Sequence, residues 1–222
     1  MKTKQALGYA AAIGVAGALA YKLMSGKKPQ EPAKDGAAKT EKAKVAPSKG
    51  VVLAGDSLME GAAAAVKTPK LTVAFRGKQL RAVPEQLTKV PPAGYDALVI
   101  SGGINDLAGG AKASEIVERA VKVWKLGQAM GMRVAHLELT PTGAGKGQYK
   151  VPEAERVASN EALAKAAKEN GVTWLVTSTT FADPNDTTQL RPEYAAPDKL
   201  HMTPDGYKAL AGIIDGWLAG DA

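Results

Sequence analysis

The sequence contains no cysteine and only two histidines, His136 and His201. Without a thiol there is no disulfide, no thiolate nucleophile and no cysteine-ligated zinc or iron-sulfur site, and two imidazoles are too few for a histidine-rich metal centre. Net charge is also missing from most of the chain, although the total of +7 suggests a nucleic acid or an anionic membrane as partner. Residues 1–49 hold ten lysines against three acids, whereas residues 50–222 hold 19 basic and 19 acidic side chains. The larger part therefore has no bulk electrostatic reason to bind nucleic acid. No internal repeat is evident, and 222 residues with 45% hydrophobic content suffice for one sizeable core and a tail.

The tail has two parts. Lys2 and Lys4 precede an uncharged run from Gln5 to Tyr21, "QALGYAAAIGVAGALAY", closed by Lys22. As a helix this run spans roughly 25 Å, slightly short of a bilayer core, and Leu23 and Met24 extend it if Lys22 snorkels. Two readings stay open: residues 1–24 as a retained membrane anchor, or a signal peptide cleaved after Ala18-Leu19-Ala20. Either implies export to the periplasm or cell surface, by membrane attachment or secretion, although the lysines that follow the run would suit a cytoplasmic-facing anchor. Residues 25–49 are rich in lysine, alanine and proline and have Val45 as their one large aliphatic side chain. Such a segment cannot bury enough apolar surface to offset its ordering entropy, and reads as a disordered linker.

From residue 50 to 222 the pattern changes. Strand-like apolar runs at Val51–Ala54, Leu71–Phe75, Ala97–Ser101, Arg133–Leu139 and Val172–Val176 alternate with helical periodicity at 59–66, 79–89 (interrupted at Pro84), 114–130, 152–169 and 204–219. Ser114 and Gly131 are candidate caps of the third of these helices, and Thr203 followed by Pro204 is an N-cap and first-turn proline for the last. The alternation predicts a five-stranded parallel sheet covered by helices on both faces, a three-layer α/β/α domain. In such sheets reactive groups gather at the carboxyl ends of the strands.

Those ends carry, in order, Gly55-Asp56-Ser57, Arg76-Gly77, Gly102-Gly103-Ile104-Asn105-Asp106, Thr140-Pro141, and a long loop containing Asp198-Lys199-Leu200-His201. A hydroxyl, flexible backbone amides, a carboxamide and a carboxylate-imidazole pair suit acyl transfer. Serine is a weak nucleophile until a base takes its proton, which makes His201 the candidate base and Asp198 the group that holds its ring. The amides of Ser57 and Gly77 and the Asn105 carboxamide are candidate donors to the oxyanion. Each residue also has a simpler reading: Ser57 as a helix N-cap, Asn105 and Asp106 as a turn, Asp198 and His201 as a surface ion pair.

Taken together, the blocks Gly55-Asp56-Ser57-Leu58 with Gly61, Gly103-Ile104-Asn105-Asp106, and Asp198-Lys199-Leu200-His201 followed by Met202 to Tyr207 resemble the SGNH, or GDSL, family of serine hydrolases over residues 50–219. The resemblance implies a flavodoxin-like fold, ester hydrolysis with no cofactor and no metal, a Ser57, Asp198 and His201 triad, and Gly77 and Asn105 in the oxyanion hole. The second block departs from the family, with Ala74-Phe75-Arg76-Gly77 where an asparagine commonly precedes the glycine. A nucleophile after the first strand, an acid and base three residues apart and no G-x-S-x-G elbow fit the α/β-hydrolase fold poorly.

Other polar features read as structural. Asp56 and Asp106 stabilise loops, Arg76 is a solvated charge, and His136 is a packed, hydrogen-bonded side chain within the fourth strand. The stretch "TGAGKGQ", 142–148, lacks phosphate-loop spacing. Loops 140–151 and 178–200 offer little apolar surface for a long acyl chain, so a short O-acyl group, acetyl first, on a cell-envelope glycan is the expected ester. A lysophospholipase or thioesterase of the same fold, and a non-catalytic tethered glycan-binding module, remain alternatives. The expected partners are thus an acylated glycan or other small ester and the membrane; nothing in the sequence bears on oligomeric state.

Overall fold

The computed structural model describes residues 48–91, 93–143 and 150–220. The expected anchor and all of the expected linker but Ser48 and Lys49 lie outside the described residues, as does most of 142–148. Among the described residues no helix is long and apolar enough to cross a membrane.

In chain order the elements are β1 (Val51–Gly55), α1 (Ser57–Ala63), β2 (Lys70–Thr72), a 3-10 turn (Leu80–Ala82) leading into α2 (Val83–Leu87), β3 (Ala97–Ser101), α3 (Ile104–Ala108), α4 (Ala113–Ala129), β4 (Arg133–Leu137), α5 (Glu153–Glu169), β5 (Thr173–Leu175), α6 (Ser178–Phe181), β6 (Ala182–Asp183), β7 (Asp186–Leu190) and α7 (Pro204–Ala219). The five-stranded parallel sheet runs β2-β1-β3-β4-β5, with Val51 opposite Ala97 and Ala97 opposite Arg133. β6 and β7 form a separate antiparallel hairpin.

Both faces of the sheet are covered, which is why its central strands are apolar at successive positions instead of alternating. Val52, Ala54, Leu98, Ile100 and Val134 point into one core with α2, α4 and α5. Val51, Leu53, Ala97, Val99, Ala135 and Leu137 point into the other with α1 and α7. This three-layer α/β/α arrangement is the fold expected from the sequence.

Differences fall at element ends. β2 closes at Thr72, yet the chain keeps its alignment with β1, the amides of Val73 and Phe75 donating to Leu53 and Gly55. β4 stops at Leu137 because Asn160 on α5 takes over the backbone of Leu139, accepting from its amide at 2.9 Å and donating to its carbonyl at 3.0 Å. α4 begins at Ala113 with Lys112 as N-cap, not at Ser114, and the Glu115 carboxylate accepts from the Lys112 amide. Pro84 does not interrupt a helix; it sits in the first turn of α2, where a missing N–H costs nothing. Helices α3 and α6 and the β6–β7 hairpin went unpredicted, the helices being too short to show a 3.6-residue period and the hairpin too polar to show a strand's.

Candidate active site

The first block is built to push a serine out of the sheet edge. Gly55 ends β1 at φ +129°, and a Cβ there would lie 1.8 Å from the Ser101 carbonyl oxygen of β3. No other residue fits. Gln86 on α2, wholly inside the fold, completes the turn by pairing both polar atoms of its amide with the backbone of Gly55, at 2.9 Å each way. Asp56, not Ser57, is the N-cap of α1: its Oδ1 accepts from the Leu58 amide at 3.1 Å and from the Ser101 hydroxyl at 2.9 Å. Burial pushes the Asp56 carboxyl up from its ordinary pKa, partly offset by the bonds it accepts from Ser101, Leu58 and Met59. Because Asp56 does the capping, the Ser57 hydroxyl is left free of that duty at the first position of the helix.

That hydroxyl meets His201. Ser57 Oγ lies 2.8 Å from His201 Nε2, and His201 Nδ1 lies 2.6 Å from Asp198 Oδ2. The other carboxylate oxygen of Asp198 accepts from the amides of Leu200 and His201, at 3.0 and 2.9 Å, so one side chain shapes the turn and holds the ring it carries. Partial burial works to raise the Asp198 pKa, but the bonds from the His201 ring and from the two amides outweigh it and hold the carboxyl below its ordinary value. With an ionised Asp198 accepting from Nδ1–H, Nε2 presents its lone pair to the serine hydroxyl. Lys199, inside this turn, is the one non-glycine residue with positive φ among the described residues, at +62°.

α7 begins just after the turn, capped as expected by Thr203, whose Oγ1 accepts from the Gly206 amide at 3.2 Å. Tyr207 in its first turn lies flat over Gly61 of α1; a Cβ on Gly61 would fall 2.3 Å from the phenol ring. The glycine of the first block thus lets the helix that follows the nucleophile seat against the helix that follows the base.

The opposite side of Ser57 is a turn, Phe75 to Lys78, closed by the Lys78 amide donating to the Phe75 carbonyl. Gly77 within it is exposed and in the left-handed region at φ +69°, and its amide makes no hydrogen bond among the described residues. The Ser57 amide, at the start of α1, is likewise without an acceptor among the described residues. Asn105, in the first turn of α3, donates from Nδ2 to the Lys78 carbonyl at 3.0 Å. A carboxamide has two N–H donors, so one ties the third block to the second and the other remains for a ligand. Around it, Gln79 Nε2 donates to the Asn105 carbonyl at 3.1 Å and the Leu80 amide donates to Asp106 Oδ2 at 2.9 Å. Asp106 is completely buried, and Arg119 of α4 meets its other oxygen at 2.6 Å. Arg76 is exposed and pairs with Glu60 at 3.3 Å.

The structure therefore brings Ser57, Asp198 and His201 into one hydrogen-bonded line, and places the Gly77 turn and Asn105 together beside it. Three participants escape the sequence reading: Gln86, Arg119 and the contact of Tyr207 with Gly61. Only Gln86 had a signal, a polar residue on the apolar face that Val83 and Leu87 also bury. His136 lies in the core with Trp124 Nε1–H donating to its Nδ1 at 3.0 Å and the Gly102 carbonyl 3.2 Å from its Nε2, a packed side chain remote from the nucleophile's hydrogen-bonded line.

A parallel sheet with a serine, a histidine and an aspartate in one hydrogen-bonded line at its carboxyl edge is an arrangement suited to acyl transfer. Residues 53–209 match the sequence profile of the GDSL-like lipase/acylhydrolase family, and the chain belongs to that family; it is a carboxylic ester hydrolase. No curated protein matches the chain. Among solved structures it is similar to a GDSL-like lipase from Bacteroides thetaiotaomicron, 18% identical over 78% of this chain and 89% of that one, with a TM-score of 0.63. A lipase/acylhydrolase from Enterococcus faecalis is 16% identical over 78% and 96% of the two chains, with a TM-score of 0.62. A psychrotrophic esterase from Pseudoalteromonas sp., solved inhibited by monoethylphosphonate, is 15% identical over 77% and 98%, with a TM-score of 0.55. At such identities the likeness is one of fold.

Proposed function

We propose that the chain is a serine esterase that removes short acyl groups, acetyl first, from a cell-envelope glycan. The observation that carries the reading is the line Ser57 Oγ, His201 Nε2, His201 Nδ1, Asp198 Oδ2, with links of 2.8 and 2.6 Å. Ser57 Oγ attacks the ester carbonyl while its proton passes to His201 Nε2, and Asp198 stabilises the imidazolium without taking the proton. The developing oxyanion is received by the amides of Ser57 and Gly77 and the free N–H of Asn105. Collapse of the tetrahedral intermediate breaks the ester C–O bond; the proton on His201 goes to the departing sugar oxygen, and a water activated by the same imidazole frees the acid from Ser57.

Shallow, polar surroundings support a small acyl group. Ser57 and the two other members of the line are partly exposed, and the hairpin β6–β7, which in the chain lies between β5 and the turn of Asp198, carries Asp183, Asp186, Thr187, Thr188 and Gln189. An apolar hollow of about 420 Å³ does exist, lined by Leu87, Val90, Tyr95, Leu126, Met130 and Met132 among others. Tyr95 lies two residues before β3 and Met132 one before β4, which puts that hollow at the amino edge of the sheet, opposite the edge that carries Ser57. It is of no use to an acyl chain esterified at the carboxyl edge. The chain enters the fold at the same amino edge, where Asp96 accepts from the hydroxyl of Ser48 and the amide of Lys49.

A fluorophosphonate probe tests the mechanism: it is expected to label the full chain and to spare Ser57→Ala, and equal labelling of both would sink the triad. Rates on p-nitrophenyl acetate and p-nitrophenyl palmitate test the acyl length, a strong preference for palmitate replacing this reading with a lipid substrate. A phosphatase fused after residue 49 is expected to be active outside the cytoplasm; an inactive fusion would place the domain inside.

A further inference from the structure

Beside the oxyanion turn, on the side away from α1, lies a hollow of about 240 Å³ lined by Phe75, Lys78, Ala82, Glu85, Gln86 and Lys89. It shares its wall with the active site. Phe75 is hydrogen-bonded through its amide to the Gly55 carbonyl, two residues before the nucleophile, and Lys78 offers the carbonyl that Asn105 holds. Gln86 uses its carbonyl oxygen and one N–H on Gly55, which fixes it as the floor of the hollow.

The remaining side chains are poorly accounted for by folding. Phe75 is a large apolar side chain left 40% exposed at the edge of a catalytic rim. Lys89, just past the end of α2, holds its ammonium 4.9 Å from the centre of that ring instead of pairing with Glu85 of the helix. Lys78 is exposed. Among the described residues, neither lysine and not Glu85 takes part in an ion pair. An aromatic face, two unpaired ammonium groups and one carboxylate acceptor form a sugar-binding set: the negative face of a phenyl ring attracts the slightly positive C–H face of a pyranose, and a carboxylate accepts from ring hydroxyls. The two ammoniums against one carboxylate leave a net positive charge, which selects a sugar that carries an acid group.

We infer that this hollow is a subsite for a carboxylate-bearing sugar unit, next to the unit whose ester is cleaved. The inference rests on the serine-esterase reading for the adjacency of the ester, but the binding it describes does not depend on catalysis. On that arrangement Lys89 swings off the Phe75 ring to pair, with Lys78, with the carboxylate, Phe75 stacks the sugar ring in its place, and the acylated neighbour is laid across Ser57 with its carbonyl toward the Gly77 turn.

Isothermal titration of the full chain with penta-galacturonate and with maltopentaose tests the subsite directly. The acidic oligomer is expected to bind at least tenfold more tightly than the neutral one, with affinity falling about tenfold in Lys89→Gln and in Phe75→Ser and falling again in 0.5 M NaCl. All three substituted side chains in the series, Lys78→Gln included, are exposed, so the variants are expected to fold as the parent does. Equal binding of the two oligomers, binding of neither, or affinity for the acidic one that survives both Lys89→Gln and Lys78→Gln would overturn the subsite. Labelling of Ser57 by the fluorophosphonate is scored on the same samples: a chain that labels but does not discriminate loses the subsite alone, and one that discriminates but does not label loses the esterase mechanism alone.

Discussion

The two sides of Ser57 are held by different forces. On the side of the base, α1 and α7 meet through the Tyr207 ring on Gly61 within an apolar core that also contains Leu58, Met59, Leu210 and Ile214. On the side of the oxyanion donors, the turn 75–78, the 3-10 turn and α3 are joined by polar contacts: Asn105 to Lys78, Gln79 to Asn105, Asp106 to Leu80, and Arg119 to Asp106. Packing sets the distance between Ser57 and His201, where a displacement of an ångström would break the proposed proton path. Hydrogen bonds, which fix direction better than bulk contacts do, set the donors that must aim at a single oxygen atom.

The largest expected effects break the base side at its chemistry. Asp198→Asn keeps the size of the side chain but lets Nδ1 of His201 receive a hydrogen bond instead of giving one, which turns the lone pair away from Ser57. kcat on p-nitrophenyl acetate is expected to fall about 10⁴-fold with little change in thermal stability. A fall of less than tenfold would mean that the 2.6 Å contact is only an ion pair. On the other side, Asn105→Ala removes one oxyanion donor and the tie to Lys78, and is expected to cost about 100- to 1000-fold in kcat. KM should change little, because the donor is used fully only when the carbonyl oxygen has become an anion.

Smaller effects separate the two kinds of support. Arg119→Met leaves the carboxylate of Asp106 wholly buried with only the Leu80 amide as partner, an outcome expected to lower unfolding stability by about 3 kcal/mol in urea titration. Gly61→Ala instead pushes a methyl group against the Tyr207 ring, and overpacking of that kind costs about 1–3 kcal/mol. Tyr207→Leu in the Gly61→Ala background is expected to recover part of that loss, whereas it should do nothing for Arg119→Met. If it rescued both equally, the two sides would not be separate supports.

This contrast also decides what could be read without coordinates. Strands buried on both faces announce themselves as continuous apolar runs, so β1, β3 and β4 and the three-layer architecture were visible at once. Ser57, Asn105, Asp198 and His201 were visible because each lies within a few residues of another reactive group, at a strand end or in one turn. Gln86 and Arg119 are 31 and 13 residues from the groups they hold, and such pairings leave no trace in local spacing. Asp56 was legible as a loop stabiliser, but its capping of α1 was not, since either it or Ser57 could accept from the helix amides. The extended backbone of Asp56 and the hydrogen bond that its carboxylate accepts from the Leu58 amide decide between them.

A pH-dependent effect is expected from His136, a core residue whose Nε2 faces the Gly102 carbonyl. Trp124 donates to its Nδ1, so the ring proton sits on Nε2 and is given to the carbonyl of Gly102, the residue that leads into Gly103 and α3. Burial, only partly offset by the Gly102 carbonyl, lowers its pKa to about 4, whereas in the unfolded chain it titrates near 6.5. Between those values the unfolded chain binds the proton and the folded one does not, so stability is complete above about 6.5 and is lost as pH falls toward 4. The full difference is about 3 kcal/mol, most of it reached by pH 4.5. Urea midpoints measured at pH 7, 6 and 5 should therefore decline, and the decline should be smaller in His136→Phe, which has no imidazole to titrate. A decline as steep in His136→Phe as in the parent would mean that this ring contributes nothing to the pH dependence, against the neutral imidazole that the indole N–H pointing at Nδ1 requires.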